Sequence, residues 1–175
     1  MIVDINMNND KKLKMLEINK IYNKDAFLGL KEIENNSISH IIIDPPYFIN
    51  YLNEKWDKIE TTLNWELLFT EFKRITKENS NIIIFQGWSN VCETINIGKK
   101  YFELNNWIIY DRIKGRGAKY NFVSTREDIL WFSQSNDPVF NKTYSEIPKK
   151  TKGMGLKNGQ LNRCLSNVFT DIPPL

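Results

Sequence analysis

The sequence of 175 residues predicts an α/β fold built on an open sheet, with an antiparallel hairpin at one edge. Two observations predict this fold. Short apolar runs that suit buried strands alternate with segments whose apolar residues recur at helical spacing, the pattern of a parallel sheet covered by helices. The last two apolar runs then follow each other with no helix between them, as the strands of a hairpin do.

The first half of the chain is predicted to contain a strand, a helix and a second strand. Leu16 to Tyr22 has apolar residues spaced as in a strand. Ala26 to Ile33 has them at helical spacing, and Asp25 is suited to cap the N-terminus of that helix. His40 to Ile43 is an unbroken apolar run that ends at two prolines, which predicts a buried parallel strand.

The second half continues the alternation and then departs from it. Trp65 to Ile75 carries apolar residues on one helical face, Asn81 to Gln86 is a second buried strand, and Asn90 to Phe102 is a predicted helix. Trp107 to Ile113 and Asp128 to Ser133 are the strands of the hairpin.

The residues after the hairpin differ in character from those before it. From Gln134 onward, turn formers, glycines and a basic cluster predict little regular structure. We therefore expect residues 1–135 to form the folded domain and residues 136–175 to form a loosely structured segment.

Composition and charge exclude several classes of protein. No apolar run approaches the ~20 residues that a membrane-spanning helix needs, and the polar N-terminus lacks the order of a signal peptide. Two cysteines, Cys92 and Cys164, are too few and too isolated for a disulfide framework or a zinc site, so we expect no bound metal. These features fit a cytoplasmic protein. The net charge of +3 favours a polyanionic partner only weakly.

The tetrapeptide Asp44-Pro45-Pro46-Tyr47 directly follows the strand predicted at His40 to Ile43. In open α/β sheets, ligands bind outside the carboxyl ends of the strands. The exocyclic amine of a nucleobase is a poor nucleophile, because its lone pair is delocalised into the ring. A carboxylate and a backbone carbonyl that accept its two N–H groups free that lone pair, and proline holds the carbonyl through its fixed φ. The opposing interpretation is a proline-rich turn with a capping Asp and a packing Tyr.

The aromatic residue of the tetrapeptide suits the same chemistry. The ring of Tyr47 offers a stacking face to a base that has left the duplex, an interaction worth ~1–3 kcal/mol per base. The amine of a paired base lies inside the double helix, so the base must be flipped out to react. Asp44 would also stabilise the positive charge that develops on the nitrogen.

Asp-Pro-Pro-Tyr after an apolar strand is the catalytic motif of the amino-methyltransferases. From about Leu16 to Pro174, the chain resembles the β-class adenine-N6 DNA methyltransferases of restriction–modification systems. Besides the tetrapeptide, the resemblance is carried by the segments at residues 23–27, 79–85, 107–112 and 126–132. It implies a Rossmann-like class I methyltransferase sheet in residues 1–135, and a target-recognition or connecting segment in residues 136–175.

The resemblance also implies the reaction and the residues that perform it. S-adenosylmethionine is the expected cofactor, and the expected substrate is the N6 amine of a flipped adenine in double-stranded DNA. Asp44, Pro45, Pro46 and Tyr47 are the expected catalytic residues, and Asp25, Ala26 and Asp44 are expected to bind the cofactor.

The choice of target base rests on Asp44. Relatives that act on cytosine N4 more often have Ser at this position, and those that act on protein or free bases more often have Asn, so Asp44 favours adenine in DNA. Cytosine C5 chemistry needs a nucleophilic Cys after a Pro, a setting that Cys92 and Cys164 both lack. Cytosine-N4 transfer in DNA, and transfer to RNA or protein through the same tetrapeptide, remain alternatives.

A Gly-rich turn for the cofactor is not evident in the sequence. In the β class that turn follows the catalytic tetrapeptide and the target-recognition region, and the chain ends about where the family would continue towards it. We therefore expect a partial chain that is weakly active or inactive alone, with an unpaired edge on the catalytic strand. A partner chain or a dimer could supply the missing half. The alternative is a catalytically silent remnant that still binds DNA.

Candidate DNA contacts lie after the predicted catalytic strand and in the predicted hairpin loop. Aromatic and basic side chains that could meet a base or a phosphate are Tyr51, Trp56, Lys114, Arg116 and Lys119. The opposing interpretations are packing for the two aromatic residues and a solvated hairpin turn for the three basic ones. The remaining tryptophans, Trp65, Trp88, Trp107 and Trp131, are most simply core residues.

Overall fold

The computed structural model describes residues 16–48, 63–116, 119–120, 122–148 and 162–170. Within these ranges the helices are α1 (Ala26–Leu30), α2 (Trp65–Ile75) and α3 (Val91–Gly98). The strands are β1 (Ile38–Ile43), β2 (Thr76–Gln86), β3 (Glu103–Arg116), β4 (Ser124–Ser133), β5 (Tyr144–Pro148), β6 (Asn162–Cys164) and β7 (Val168–Phe169). The observed bounds of α2 are those predicted from the sequence.

The strands form a mixed sheet in the order β1-β2-β4-β3-β7, and β5 and β6 form a separate antiparallel pair. β1 runs parallel to β2, and β4 runs antiparallel to both β2 and β3. The α/β fold and the late hairpin are therefore confirmed. Among the described strands β1 lies at one end of the sheet.

The hydrophobic core lies between one face of the sheet and helices α2 and α3. Phe69 of α2 is fully buried at its centre. Its ring lies 5.5–6.3 Å, centroid to centroid, from the rings of Trp65, Phe72, Tyr101, Phe102 and Phe132. The helices are held close to the sheet because Gly98, the last residue of α3, faces Phe132 without a side chain.

The other face of β1 is not covered in the same way. Ile41 is buried in the core, but its neighbour Ile42 is 71% exposed. Successive side chains of a strand point to opposite faces, so helices on one side bury only alternate residues. The expectation of a parallel strand at His40 to Ile43 is confirmed, whereas the expectation that this strand is buried is correct for Ile41 and wrong for Ile42.

The segment from Leu16 to Tyr22 does not form the predicted strand. Ile18 and Ile21 are both exposed, and the hydroxyl of Tyr22 accepts a 2.7 Å hydrogen bond from the backbone N–H of Glu17. A strand is stabilised by pairing and packing with a neighbouring strand, and this segment pairs with none of the described strands.

Helix α1 begins as predicted, with Asp25 accepting a 3.0 Å hydrogen bond from the backbone N–H of Leu28. It is tied to α2 by Arg74, whose guanidinium donates 2.8 Å hydrogen bonds to the backbone carbonyls of Leu30 and Ile33. Glu71 holds that guanidinium from the next turn of α2 at 2.7 Å. The chain that leads into β1 is therefore fixed to the helix beside the core.

The hairpin differs from its prediction at the turn. Lys114 and Arg116 were expected in a polar loop, but their backbones belong to β3. The strand is irregular there: Ile113 has a φ of 64°, and its N–H is bonded to the Asp111 carboxylate at 2.8 Å. A Cβ on Gly115 would lie 2.1 Å from Cγ1 of Val123, so only glycine lets the two strands approach this closely.

The residues after Gln134 contain more regular structure than predicted. Besides the β5–β6 pair, β7 adds a short parallel strand to β3. Asn167 fixes this addition, since its carbonyl accepts a 2.8 Å bond from the N–H of Ile109 and its side-chain amide donates a 2.8 Å bond to the carbonyl of Trp107. The predicted lack of structure was therefore wrong for these strands.

The four tryptophans that were expected in the core have different environments. Trp65 is buried in the core, and the indole N–H groups of Trp107 and Trp131 donate to Asp128 and Asn81 at 2.7 Å and 2.8 Å. Trp88 is 64% exposed, so the expectation was wrong for this residue. It lies in the turn that follows β2, beyond the part of the sheet that the helices cover. Within the described ranges, the helices are too short or too polar to span a membrane.

Close packing at Gly98 makes a direct stability test possible. We predict that Gly98→Ala destabilises the protein by about 1–3 kcal/mol, as overpacking does in a dense core. The added Cβ would lie 2.7 Å from Cζ of Phe132 and 3.1 Å from Cζ of Phe69. Urea unfolding followed by circular dichroism measures the change.

Gly29→Ala in α1 is the matched control. A Cβ there would meet only the flexible side chain of Lys24, at 3.3 Å. Alanine is favoured over glycine in a helix by about 1 kcal/mol, so this variant should be as stable as the parent or more stable. Equal unfolding midpoints for the two variants would contradict the packing described for Phe132.

Candidate active site

The tetrapeptide lies at the carboxyl end of β1, where β1 and β2 end side by side. Ile43 pairs with Ile84 in the parallel register, so residues that follow β1 and β2 meet at one edge of the sheet. Asp44 is exposed at this edge, and Tyr47 is half-buried. This is the position at which open α/β sheets bind ligands.

Asp44 and Tyr47 contact each other directly. The phenol of Tyr47 donates a 2.8 Å hydrogen bond to Oδ1 of Asp44. The two residues are three apart, and each proline between them has a fixed φ, which restricts the chain that joins them. The sequence predicted that both residues act at one site but did not predict this bond. A carboxylate has a second oxygen and further lone pairs, so it can still accept from a substrate.

The pKa of Tyr47 is raised well above its ordinary value. Burial is the main cause, since it penalises the phenolate, and the hydrogen bond to Asp44 acts in the same direction. The negative charges of Asp44 and Glu127 raise the pKa further, and the positive charge of Arg112 lowers it. The phenol therefore stays protonated and remains a hydrogen-bond donor at neutral pH.

The hairpin extends to this edge of the sheet, because Asp128 of β4 pairs with Gln86 at the end of β2 and Glu127 adjoins Asp128. Arg112 of β3 and Glu127 of β4 form an ion pair, with Nη1 and Oε1 3.0 Å apart. Both residues lie in the predicted hairpin segments, but sequence reasoning assigned neither of them a role. The antiparallel pairing of β3 with β4 could have suggested the ion pair. The closeness of this pair to Tyr47 depends on strand order, which cannot be read from the sequence.

The turn that follows β2 forms a wall of the site. Gly87 lies against the ring of Tyr47, where an added Cβ would be 3.5 Å from its Cγ. The side-chain amide of Asn90 donates a 2.8 Å hydrogen bond to the backbone carbonyl of Tyr47. Sequence reasoning missed both contacts, because they join residues about forty positions apart.

Phe48, directly after the tetrapeptide, has a φ of 54°. A left-handed backbone is uncommon for a residue with a large side chain, and such conformations persist only where the surroundings hold them. The tetrapeptide is therefore followed by a strained residue, next to the contacts that hold Tyr47.

The residues predicted to bind the cofactor, Asp25, Ala26 and Asp44, are all exposed. Asp25 already accepts a backbone N–H of its own helix through Oδ1. In the described part of the chain, His, Cys, Asp and Glu do not form a group of three that could hold a metal ion.

The predicted DNA contacts are only partly visible. Lys119 is exposed in the hairpin turn, and its ammonium lies 5.1 Å from the centre of the Tyr120 ring. The backbones of Lys114 and Arg116 are in β3, and Tyr51 and Trp56 lie outside the described residues.

Comparison of the sequence with known proteins identifies a family and several relatives. The family model described as DNA methylase, of the N6/N4 type, matches residues 38–174. The chain is 33% identical over 165 residues to the type II methyltransferase M1.MboII of Moraxella bovis, covering 83% of the chain and 61% of that relative. It is 27% identical over 160 residues to M.BglII of Bacillus subtilis, covering 83% of the chain and 44% of that relative. The chain therefore spans about three fifths or less of these two curated relatives.

Solved structures show the same fold. TTHA0409 of Thermus thermophilus matches 86% of the chain and 66% of its own length with a TM-score of 0.55 and 18% identity. M1.HpyAVI, in its complex with SAM, matches 87% of the chain and 65% of its own length with a TM-score of 0.51 and 17% identity. The family match covers the tetrapeptide Asp44-Pro45-Pro46-Tyr47 and most of the described sheet, and the chain belongs to the N6/N4 DNA methylase family.

Proposed function

We propose that this chain is the catalytic part of a DNA methyltransferase that transfers a methyl group from S-adenosylmethionine to N6 of a flipped adenine. The main support for this proposal is the position of Asp44. It is exposed at the carboxyl end of β1, and its carboxylate accepts a hydrogen bond from the hydroxyl of Tyr47. Membership of the N6/N4 family supports transfer to an exocyclic amine.

Asp44 and a backbone carbonyl of the proline pair act as acceptors for the two N–H groups of the target amine. Accepting both bonds favours a pyramidal nitrogen whose lone pair can attack. Tyr47 holds Oδ1 of Asp44 at 2.8 Å, so the carboxylate cannot rotate freely before the substrate arrives. As the nitrogen gains the methyl group it becomes positive, and the carboxylate stabilises that charge where it develops.

Tyr47 has two roles in this proposal. Its half-buried ring offers a stacking face to the flipped base, and its protonated phenol orients Asp44. The raised pKa of Tyr47 suits the second role, because a phenolate could not donate to a carboxylate.

Adenine is the proposed target because Asp44 stands at the first position of the tetrapeptide, where cytosine-N4 relatives more often have Ser. The family includes both types of enzyme, so this step rests on the residue at position 44.

S-adenosylmethionine supplies the methyl group when bound. Asp25 and Ala26 at the start of α1, together with Asp44, are the proposed residues that hold it. M1.HpyAVI, which has this fold, was solved as a complex with SAM, and this supports the choice of cofactor.

DNA is proposed to contact the edge of the sheet that carries the tetrapeptide. Lys114, Arg116 and Lys119 belong to the β3–β4 hairpin and are proposed to bind phosphates, which position the duplex without reading its sequence. Tyr51 and Trp56 follow the tetrapeptide in sequence and are proposed to line the base pocket.

We also propose that this chain binds the cofactor weakly by itself and that a partner chain or a second copy completes the pocket. The sequence lacks an evident Gly-rich turn after a strand, and β1 lies at the end of the described sheet.

The catalytic role of Asp44 is tested by Asp44→Ala. We predict that methyl transfer from labelled S-adenosylmethionine to duplex DNA falls by a factor on the order of 10² or more, as losses of charge-stabilising groups do. Asp137→Ala, which removes an exposed carboxylate elsewhere on the surface, should keep the parent rate. Retained transfer in Asp44→Ala would refute the mechanism, and binding of DNA without transfer by the parent would favour a silent DNA-binding role.

Cofactor affinity is tested by titration calorimetry of the chain with S-adenosylmethionine. We predict no saturable heat at ligand concentrations of about 10 μM. A Kd in that range needs about 7 kcal/mol of binding free energy, and an incomplete pocket provides less than this. A one-site micromolar isotherm from the isolated chain would contradict the proposed weak binding.

A further inference from the structure

The side chain of Asn90 is used in an unusual way. Asn90 is the N-cap residue of α3, but its side chain makes no capping hydrogen bond. Asp25 and Asn64, the N-cap residues of α1 and α2, both cap their helices, with bonds of 3.0 Å and 2.9 Å to backbone N–H groups. The amide of Asn90 instead donates to the carbonyl of Tyr47 at 2.8 Å.

Helix α3 loses the stabilisation of a side-chain cap because the side chain of Asn90 bonds to Tyr47 instead. A capping Asn normally accepts a hydrogen bond from an otherwise unpaired N–H in the first helical turn, and that bond stabilises the helix. α3 lacks it, and the side chain that could have supplied it is directed towards the tetrapeptide. A purely structural Asn at this position would be expected to cap.

Hydrogen bonds to residues at and after the end of β2 hold Asn90 in place. Its N–H donates to the carbonyl of Gly87 at 3.0 Å, and its own carbonyl accepts the hydroxyl of Thr94 at 3.2 Å. Gln86, the last residue of β2, donates to that hydroxyl at 2.7 Å and accepts the N–H of Gly87 at 3.0 Å.

The supporting residues are buried. Gln86 is 1% exposed and Thr94 is not exposed, so their bonds are protected from competition with water. A continuous set of hydrogen bonds therefore runs from the end of β2 through Thr94 and Asn90 to Tyr47.

We propose that Asn90 is a positioning residue for the tetrapeptide. It acts through Tyr47: by holding the carbonyl of that residue, it fixes the backbone that joins Tyr47 to Asp44 before any substrate is bound. Preorganisation of this kind lowers the reorganisation needed at the moment of reaction. The role in catalysis rests on the proposed methyltransferase function, whereas the role in holding the tetrapeptide does not.

The test uses the full chain with Asn90→Ala, Asn90→Asp and the control Asn64→Ala. Both changes at position 90 remove the donor; Ala adds no charge, and Asp keeps a residue that favours the N-cap position. Asn64→Ala removes a capping bond that the structure uses, at the start of a different helix, α2. Hydrogen–deuterium exchange is followed for a peptide covering residues 44–48, and thermal unfolding is followed in parallel.

We expect exchange in residues 44–48 to become about five-fold faster in both Asn90 variants, the factor that an ordinary hydrogen bond contributes. Asn90→Asp should melt at or above the parent temperature. Asn64→Ala should melt lower, with exchange in residues 44–48 unchanged. Unchanged exchange in both Asn90 variants would overturn the proposal, as would acceleration of equal size in Asn64→Ala.

The catalytic part is measured with the same proteins. In the Asn90 variants kcat for methyl transfer should fall by about five-fold or more, while KM for S-adenosylmethionine is unchanged, since the lost bond orients Asp44 and Tyr47. Faster exchange with an unchanged kcat would overturn a role in catalysis. If the parent chain transfers no methyl group at all, the proposed function fails. The exchange experiment still decides whether Asn90 holds the tetrapeptide in place.

Discussion

Parallel pairing of β1 with β2 places the carboxyl ends of both strands at one edge of the sheet, and the geometry of the site depends on that register. Ile43 lies beside Ile84, so the tetrapeptide that leaves β1 meets the turn that leaves β2. A shift of one residue would turn Ile82 and Ile84 out of the core. The burial of these residues therefore fixes the site as well as the core.

Tyr47 connects the elements that meet at this edge. Its phenol bonds to Asp44, its carbonyl accepts from Asn90, and its ring lies against Gly87. The ion pair of Arg112 with Glu127 brings charge from the hairpin strands close enough to influence its pKa. A residue expected to act mainly as a stacking surface is thus also the point at which the end of β2 and the tetrapeptide are joined.

The sequence predicted what depends on local pattern and failed where contacts are distant. The bounds of α2 were correct, because one apolar face and a capping Asn define them, and the tetrapeptide was correctly placed after a strand. The strand predicted at Leu16 to Tyr22 is absent, because strand formation depends on packing against a partner strand, which apolar spacing alone does not specify. Trp88 was assigned to the core, although its position after β2 leaves it exposed. The tether from Asn90 could not be predicted, because it joins positions 43 residues apart.

We propose that Asp44 accepts the amine of a flipped adenine, and the identity of the methylated base tests this role most directly. Duplex DNA incubated with the chain and isotopically labelled S-adenosylmethionine is digested to nucleosides, which are separated and identified by mass spectrometry. We expect the label to appear in N6-methyladenine. Label in N4-methylcytosine, or in RNA or protein offered in the same reaction but not in DNA, would contradict the claim.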